Sequence, residues 1–483
     1  MKAAIEGLDP ELVWKHFYAI SQIPRESGNE TAVGEYIISL AQKNALPYRK
    51  DELGNIIVSC PASKGREDRP MVVLQGHTDM VCEKNKDTVH DFKKDPIKLI
   101  REGEWIRADG TTLGSDNGIG ISFAMALMED RNVEHPALEF LFTVDEETGL
   151  TGASGLHPDF VKSRILINLD SEEEGAFYIG CAGGKHTILR KKIEWNNKNS
   201  DYTVIKIKIG GLQGGHSGLN IHQGLGNSIK LLSRFLFNLK QQFKFNLVSF
   251  NGGNKHNAIP REAEAVIAFP AADIKKLRDL TREMDTIYKS ELQFVDKDVH
   301  ILTEDAQNVT KVFTPNFSSE LINLLYVMPH GVMAMSHAVE GLVETSTNMA
   351  VIETKNESIE MLTSQRSSRA SCIEDIANKI KALGELAGFE IEQGGGYPAW
   401  EPNPESRLLK SAIETYEDLY QTKPEVKAVH AGLECGIIGE KYPGMDMISF
   451  GPTIQGAHSP DERVHIPAVK NCWKYLNELL KKI

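Results

Sequence analysis

The sequence predicts a two-domain α/β protein, in which a sandwich with a mostly parallel central sheet is interrupted by an α+β domain. The 483 residues exceed what one hydrophobic core usually holds, so two domains are expected. In the first part of the chain, short apolar runs typical of strands alternate with helical segments, as in a parallel sheet covered by helices. After Gly183-Gly184 the pattern changes to alternating strands that glycine pairs interrupt.

The composition is that of an ordinary globular protein, with 41% hydrophobic and 25% charged residues. No apolar stretch approaches the roughly 20 residues of a membrane helix, and the N-terminus lacks the features of a signal peptide. We therefore expect a cytoplasmic protein without a membrane partner. The net charge of −13 argues against nucleic-acid binding. The six cysteines are scattered without a C-x-x-C pair, which favours reduced thiols over disulfides or a zinc ribbon.

Two helices are predicted at the start of the chain. Asp9 is expected to cap the first helix, with Pro10 at its first position, and the second runs from about Asn29. The strands predicted next are Asn55–Cys60, Met71–Leu74, Ala137–Val144 and Ile165–Leu169. A helix is predicted between the second and third of them, at Asn117–Asp130.

The interrupting domain is predicted over residues 186–397, which leaves residues 1–185 and 398–483 for the sandwich. It contains a strand at Thr203–Ile209 and an amphipathic helix from about Gly226 to Lys240. Glycines 394–396 mark the return to the first domain. The elements predicted after them are a helix at Glu405–Tyr420, strands at Val426–His430 and Met447–Phe450, and a terminal helix.

Polar residues follow three of the predicted strands directly. Met71–Leu74 runs into His77-Thr78-Asp79, Ala137–Val144 runs into Glu146-Glu147, and Ile165–Leu169 ends at Asp170. Because α/β sheets carry function in the loops beyond the carboxyl ends of their strands, these side chains are expected at one edge of the sheet.

His77 and Asp79 are two residues apart at a strand exit and so point to the same side. Asp79 can then fix the tautomer of a metal-binding His77. The H-x-D pattern alone is weak evidence for a metal site, since most such histidines are ordinary loop residues.

Asp116 stands before a helix in a glycine-rich segment that lacks both G-x-G-x-x-G and a Walker lysine. We interpret Asp116 as a carboxylate able to bridge two cations; the alternative is an N-cap aspartate.

Glu146-Glu147 directly after an apolar strand suggests two different roles. One carboxylate can bind metal while its neighbour takes a proton from water, although the pair alone would favour a solvated strand end.

His458 lies in a loop bounded by glycine and proline, and taken singly it would be a structural or exposed residue. The set as a whole predicts a two-metal site with ligands suited to zinc, or to manganese or cobalt: His77, Asp116, Glu147, Asp170 and His458.

Five segments, GHTDMV, WIRADGTTLGSDNGIG, TVDEETGLTGA, INLDSEEEG and GAHSPDERV, resemble motifs of the M20 metallopeptidases, in matching order along nearly the whole chain. They are especially similar to the aminoacyl-histidine dipeptidases of the PepD type. The resemblance implies a metal-binding domain interrupted by a lid domain. It also implies hydrolysis of short peptides, foremost Xaa-His dipeptides such as β-alanyl-histidine.

The resemblance divides the ligands around Asp116, which would bridge both metals. His77 and Asp170 would complete one site, and Glu147 and His458 the other. It further implies that Asp79 orients His77 and that Glu146 is the general base. A cis peptide after the bridging aspartate, here Asp116-Asn117, is frequent in the family.

In the predicted lid domain the resemblance concerns three residues. His216 would polarise the scissile carbonyl, or else cap a glycine-rich turn. Asn257 and Arg369 would contact substrate, and a guanidinium suits a peptide's free carboxylate. For Arg369, as for the nearby Arg366, the alternative is an ordinary solvated side chain. The lid is longer than in simpler members, which leaves the register of these contacts open.

Two other functions compete with a dipeptidase. One is an amidohydrolase or tripeptidase of the same superfamily, acting on N-acyl amino acids or longer peptides. The other is a non-catalytic binding protein on a peptidase scaffold. Relatives with small lids dimerise through them, and the longer lid here would either add an interface or replace one. Of these outcomes a homodimer is expected.

Overall fold

The computed structural model describes residues 2–483 and divides into two compact units. The first unit comprises the chain up to Cys181 together with Trp400–Ala428 and Leu433–Ile483, and the second comprises Ala182–Ala399 and Val429–Gly432. The predicted domains differ from these units at residues 182–185, 398–399 and 429–432, all of which belong to the second unit. None of the helices in residues 2–483 has both the length and the apolar character needed to cross a membrane.

Residues 2–181 form five α-helices and eight strands. The helices are α1 (Glu11–Ser21), α2 (Thr31–Lys43), α3 (Ser115–Glu129), α4 (Glu146–Gly149) and α5 (Thr151–Gly155). The strands are β1 (Tyr48–Lys50), β2 (Ile56–Cys60), β3 (Val72–His77), β4 (Leu99–Glu102), β5 (Trp105–Ala108), β6 (Leu138–Thr143), β7 (Ile165–Asn168) and β8 (Ala176–Cys181).

The middle of the chain forms a second set of strands and helices. The strands are β9 (Gly183–Lys192), β10 (Trp195–Asn197), β11 (Tyr202–Gly210), β12 (Gly215–His216), β13 (Asn246–Gly252), β14 (Ala258–Ile259), β15 (Ala263–Pro270), β16 (His300–Asp305), β17 (Lys311–Phe313), β18 (Gly331–Met335), β19 (Val343–Thr354), β20 (Ser358–Ser367) and β21 (Glu390–Tyr397). The helices are α6 (Ser228–Gln242), α7 (Ile274–Glu291), α8 (Pro315–Val327) and α9 (Ala370–Leu386).

The remaining elements follow residue 400. They are α10 (Arg407–Tyr420), β22 (Glu425–Val429), α11 (Glu434–Lys441), β23 (Asp446–Ser449), β24 (Ile454–Gln455), β25 (Arg463–His465) and α12 (Ile466–Lys482).

The first unit is built on an eight-stranded sheet of order β1-β2-β6-β3-β7-β23-β8-β22. Its central strands β6, β3, β7 and β23 are parallel, whereas β1, β2 and β8 pair antiparallel at the flanks. Every residue of β3 and β6 is buried, as expected for central strands covered on both faces. The predicted α/β class is confirmed, and the parallel pairing is confined to the centre of the sheet.

The second unit is α+β. Its main sheet has nine strands, in the order β16-β11-β15-β13-β19-β20-β9-β21, with β18 paired to β19. Neighbouring strands in this sheet pair antiparallel. Its core lies between this sheet and the helices, where Phe235, Phe250 and Tyr288 are fully buried. Glycines 394–396, predicted to mark the return of the chain, lie inside β21, which bulges there.

The predicted start of the first helix is wrong. The helix begins at Glu11, and Pro10 is its N-cap with an extended backbone (ψ 129°). Asp9 does not cap the helix but pairs with Lys470 at 3.0 Å. The proline ring fixes only φ, so Pro10 is equally compatible with the extended conformation found here.

Candidate active site

Neighbouring parallel strands deliver the predicted side chains to one edge of the central sheet. His77 is the last residue of β3, Asp170 follows β7 by two residues, and Glu146 opens α4 just after β6. Because β3 pairs in parallel with both β6 and β7, the three chain segments leave the sheet at the same edge.

Asp116 stands at the centre of this group. Its Oδ1 lies 3.1 Å from Nε2 of His77, and its Oδ2 lies 3.1 Å from Nε2 of His458, which is 342 residues away in sequence. Nε2 of His77 is also 3.2 Å from Oδ1 of Asp170, and Nε2 of His458 is 3.1 Å from Oε2 of Glu147. Each oxygen of Asp116 therefore faces a different histidine–carboxylate pair.

Asp116 owes this position to an irregular start of α3. Gly114 precedes the helix with φ +69°, and Asp116 and Asn117 have non-helical backbone angles. The peptide between Asp116 and Asn117 is cis, as the resemblance implied. The two side-chain oxygens of Asp116 contact His77 and His458.

The donor set fits divalent cations. The three-residue groups His77–Asp116–Asp170 and Asp116–Glu147–His458 each offer ligand atoms within 4.8 Å of one another. Within residues 2–483, Oε1 of Glu147 is buried and accepts no hydrogen bond. Buried carboxylate oxygens without a donor are costly unless a cation compensates them. Nitrogen and carboxylate ligands suit zinc, manganese or cobalt.

The electrostatics of the group also favour added positive charge. Hydrogen bonds to Asp116 and Glu147 raise the pKa of His458 to about 11. Burial opposes the charged form of His77, yet Asp170, Asp116 and Asp79 together hold the pKa of His77 well above its usual range. Burial raises the pKa of Asp170 to about 7. Carboxylates therefore outnumber their positive partners at this edge of the sheet.

Asp79 lies behind His77, with its Oδ1 3.3 Å from Nδ1 of the imidazole. It is fully buried and accepts hydrogen bonds from the hydroxyl of Ser27 and from the backbone amides of Glu146 and Glu147. Asp79 thus connects the β3 exit to the turn that carries both glutamates.

Glu146 shares a possible ligand group with His77 and Glu147 but is not needed to complete either group around Asp116. Burial raises the pKa of Glu146 well above its usual range, although His77 opposes this shift. A carboxylate with a raised pKa has the affinity for a proton that a general base requires.

Sequence reasoning missed two charged residues next to these turns, Arg25 and Glu462. Both side chains are almost completely buried, and both bind backbone groups of the turns that carry the candidate ligands. Glu462 belongs to the recognised segment GAHSPDERV, but nothing in the sequence relates either residue to Asp116.

In the second unit, His216 and Asn257 lie together on a small ladder. His216 in β12 pairs with Ala258 in β14, and the amide of Ser217 donates to the carbonyl of Asn257. Both residues line a cavity of about 480 Å³. The Nδ1 atom of His216 accepts from the amides of Gly218 and Leu219 at 3.2 and 3.0 Å, which leaves Nε2 as the protonated nitrogen. Burial lowers the pKa of His216 to about 4.

Arg369, predicted to contact substrate, differs in environment from Arg366, which the sequence did not single out for this contact. The side chain of Arg369 is 50% exposed, and its Nε lies 3.3 Å from a carboxylate oxygen of Glu344. Arg366 is 7% exposed and donates from Nη1 to the hydroxyl of Tyr397 at 2.5 Å. Within residues 2–483 the buried Nε of Arg366 has no hydrogen-bond partner.

Neutral imidazoles surround Arg366. The pKa of His430 falls to about 3 because of burial and the nearby Arg366 guanidinium, and the same two causes lower the pKa of His186. A buried guanidinium with a free N–H among neutral groups is suited to an anionic partner.

Comparison with known proteins gives consistent matches. A model of peptidase family M20/M25/M40 matches residues 73–482. The cytosol non-specific dipeptidase of Escherichia coli (strain K12) is 43% identical over 479 residues, which cover 99% of each chain. The crystal structure of aminoacylhistidine dipeptidase from Vibrio alginolyticus is 41% identical, with a TM-score of 0.93 over 99% of this chain and 98% of that chain. The aminopeptidase PepT from Bacillus cereus is 13% identical, with a TM-score of 0.58 over 98% and 99% of the chains, a likeness in fold alone.

Proposed function

The chain belongs to peptidase family M20/M25/M40, and we propose that it is a dipeptidase that uses two divalent cations, zinc foremost, to hydrolyse short peptides. The observation that carries this proposal is the position of Asp116, with one carboxylate oxygen 3.1 Å from His77 and the other 3.1 Å from His458. The first unit would be the catalytic, metal-binding part, and the second unit would act as the lid domain.

The ligands would divide around Asp116. His77 and Asp170 would hold one cation, Glu147 and His458 the other, and Asp116 would bind both. Asp79 would accept a hydrogen bond from the Nδ1–H group of His77 and so keep Nε2 available as a ligand, the usual arrangement for a metal-binding histidine. The 3.3 Å approach of Asp79 to Nδ1 supports this role.

Cations held there would supply Lewis-acid polarisation of the scissile carbonyl and would make the attacking water more acidic. Glu146 would take the proton of that water on a carboxylate oxygen and pass a proton to the leaving amine nitrogen. The raised pKa of Glu146 supports the protonated state between these two transfers.

His216 would donate a hydrogen bond from Nε2 to the carbonyl oxygen as negative charge develops on it. Two backbone amides bind its Nδ1, and this fixes the tautomer that carries the proton on Nε2. The lowered pKa keeps the imidazole neutral at physiological pH. These observations favour the polarising role over a mere turn cap.

Arg366 would bind the free carboxylate of the peptide, and we prefer it to Arg369 for this contact. Arg366 is buried among neutral histidines and keeps an N–H available, whereas Arg369 is half exposed and lies beside Glu344. Asn257, exposed beside His216, would contribute a further polar contact to the substrate.

The substrate class proposed is Xaa-His dipeptides such as β-alanyl-histidine. The test is a panel of Xaa-His dipeptides, other dipeptides, tripeptides and N-acetyl amino acids, assayed after chelation and after readdition of zinc, manganese or cobalt. We expect activity to disappear on chelation, to return with metal and to be highest on dipeptides. Preference for N-acetyl amino acids or tripeptides would favour the amidohydrolase or tripeptidase alternative. A metal-loaded protein inert on the whole panel would indicate a binding protein.

We also propose that the protein is cytoplasmic and forms a homodimer through the second unit. Within residues 2–483, β18 pairs with a strand on one edge only, and Met333 and Met335 of this strand are exposed. An unpaired edge beside exposed apolar side chains is a usual site of association. Light scattering should give a dimer for the wild type and a monomer for Met333→Lys, while Val89→Lys, at another exposed apolar residue, should stay dimeric.

A further inference from the structure

Two buried charged side chains hold the backbone of the turns that carry the candidate ligands. We propose that Glu462 and Arg25 are positioning residues, which fix Asp116 between His77 and His458 before any cation binds. This inference rests on the proposed two-cation site.

Glu462 binds the turn that precedes Asp116 through both carboxylate oxygens. Its Oε2 accepts from the amides of Leu113 and Gly114 at 2.7 and 2.9 Å. Its Oε1 accepts from the amide of Ser115 at 2.7 Å, from the hydroxyl of Ser115 at 2.6 Å and from the amide of Asp116 at 3.3 Å. The side chain is only 2% exposed, so water does not replace these contacts.

Glu462 also connects two distant parts of the chain. It lies four residues after His458, in the same turn-rich loop between β24 and β25, where the amide of Glu462 donates to the carbonyl of Ser459. The carboxylate therefore ties the loop of His458 to the turn of Asp116. The spacing of these two candidate ligands depends on that tie.

Arg25 makes the corresponding connection to the β3 exit. Its Nη1 donates to the carbonyls of Thr78 and Asp79 at 2.9 and 2.7 Å, and its Nη2 donates to the carbonyl of Gly114. One guanidinium thus joins the turn after His77 to the turn before Asp116. A Cβ on Gly118 would lie 2.8 Å from Nη2, so this glycine makes room for the guanidinium.

The physical consequence is preorganisation. The segment before Asp116 contains Gly114 in the left-handed region and non-helical angles at Asp116 itself, so its own helix does not fix it. Without Glu462 and Arg25, cation binding would have to order this segment, and that cost would appear as weaker affinity. Residues that orient ligands in this way typically change metal affinity by about 10- to 100-fold when replaced.

The test compares Glu462→Gln with Glu139→Gln. Glu139 is equally buried, at 1% exposure, and likewise accepts from two backbone amides, those of Lys162 and Ser163. Both variants remove a buried carboxylate that accepts from backbone amides, so both should lower the thermal stability of the metal-free protein. The loss should be larger for Glu462→Gln, because both oxygens of Glu462 accept from amides, whereas the two amides at Glu139 donate to one oxygen. Titration calorimetry of metal-stripped protein with zinc or cobalt should show affinity about 10- to 100-fold weaker for Glu462→Gln only.

A companion variant, Ser115→Ala, removes one donor to Glu462 and leaves every charge in place. It should weaken cation affinity in the same direction but less, which excludes a pure charge effect. Wild-type affinity in Glu462→Gln, or an equal loss in Glu139→Gln, would overturn the inference. If Glu462→Gln does not fold, unchanged affinity in Ser115→Ala overturns it instead. A wild-type protein that binds no cation would overturn the proposed function itself.

Discussion

Replacing Arg366 by methionine removes the proposed contact to the substrate carboxylate while keeping an unbranched apolar stem. Since Nη1 is engaged by Tyr397, the guanidinium has Nε and Nη2 left for a two-bond fork. Hydrogen bonds to charged groups contribute about 1.5–3 kcal/mol each. Losing the fork should therefore cost about 3 kcal/mol, which is roughly a 150-fold fall in kcat/KM.

The assay measures kcat/KM on β-alanyl-histidine and on the same dipeptide with its C-terminal carboxylate converted to an amide. Arg366→Met should fall steeply on the free acid and change little on the amide, because the amide offers no carboxylate to lose. Arg369→Met removes the same charge from the same unit and should keep the preference for the free acid. An equal loss on both substrates, or loss of the preference in Arg369→Met only, would refute the assignment to Arg366.

Three further changes have definite expected outcomes. His216→Ala should lower kcat by about 10²- to 10³-fold without changing metal content, because it removes a donor to the developing oxyanion; unchanged kcat in a steady-state assay would return His216 to the role of a turn cap. His16 is buried between Tyr36 and Glu129, and burial lowers its pKa to about 4. Below about pH 6.5 His16 therefore binds a proton in the unfolded chain but not in the folded protein. The free energy of unfolding is highest above that pH and decreases as the pH falls towards 4. Thermal melts of His16→Gln should depend less on pH between 7 and 5 than those of the wild type, and parallel curves would contradict this. Asn227 caps α6 through the amides of Ile229 and Lys230 and donates to the carbonyl of Met349. Asn227→Ala should lower the free energy of unfolding of the second unit by about 1–2 kcal/mol in a denaturant titration, whereas a loss below a few tenths would contradict the cap.

The central sheet and its exits were predictable because they rest on local patterns. Runs of buried apolar residues predicted β3, β6 and β7 to within a few residues. Because the carboxyl ends of parallel strands lie at one edge of a sheet, the polar residues that follow these strands could be assigned to that edge. Only the family resemblance divided the ligands between two metal sites around Asp116. In the structure one oxygen of Asp116 lies 3.1 Å from His77 and the other 3.1 Å from His458.

Contacts between distant segments were not predictable. Glu462 reaches backbone amides 346 to 349 residues away, and a backbone amide leaves no trace in the sequence. Arg366 and Arg369 lie three residues apart in one motif, and only burial distinguishes them. Pro10 was misplaced because proline restricts φ but leaves ψ free for a helical or an extended backbone.

The central claim is that Asp116 binds two cations and that Glu146 takes the proton of the attacking water without being a metal ligand. Its most direct test measures bound zinc per chain and turnover of an Xaa-His dipeptide for Glu146→Gln and Asp116→Ala side by side. We predict that Glu146→Gln keeps about the wild-type zinc content while its turnover falls by about 10²- to 10⁴-fold, the usual contribution of a general base. Asp116→Ala should lose both zinc and turnover. Wild-type turnover in Glu146→Gln, or full zinc content in Asp116→Ala, would contradict the account.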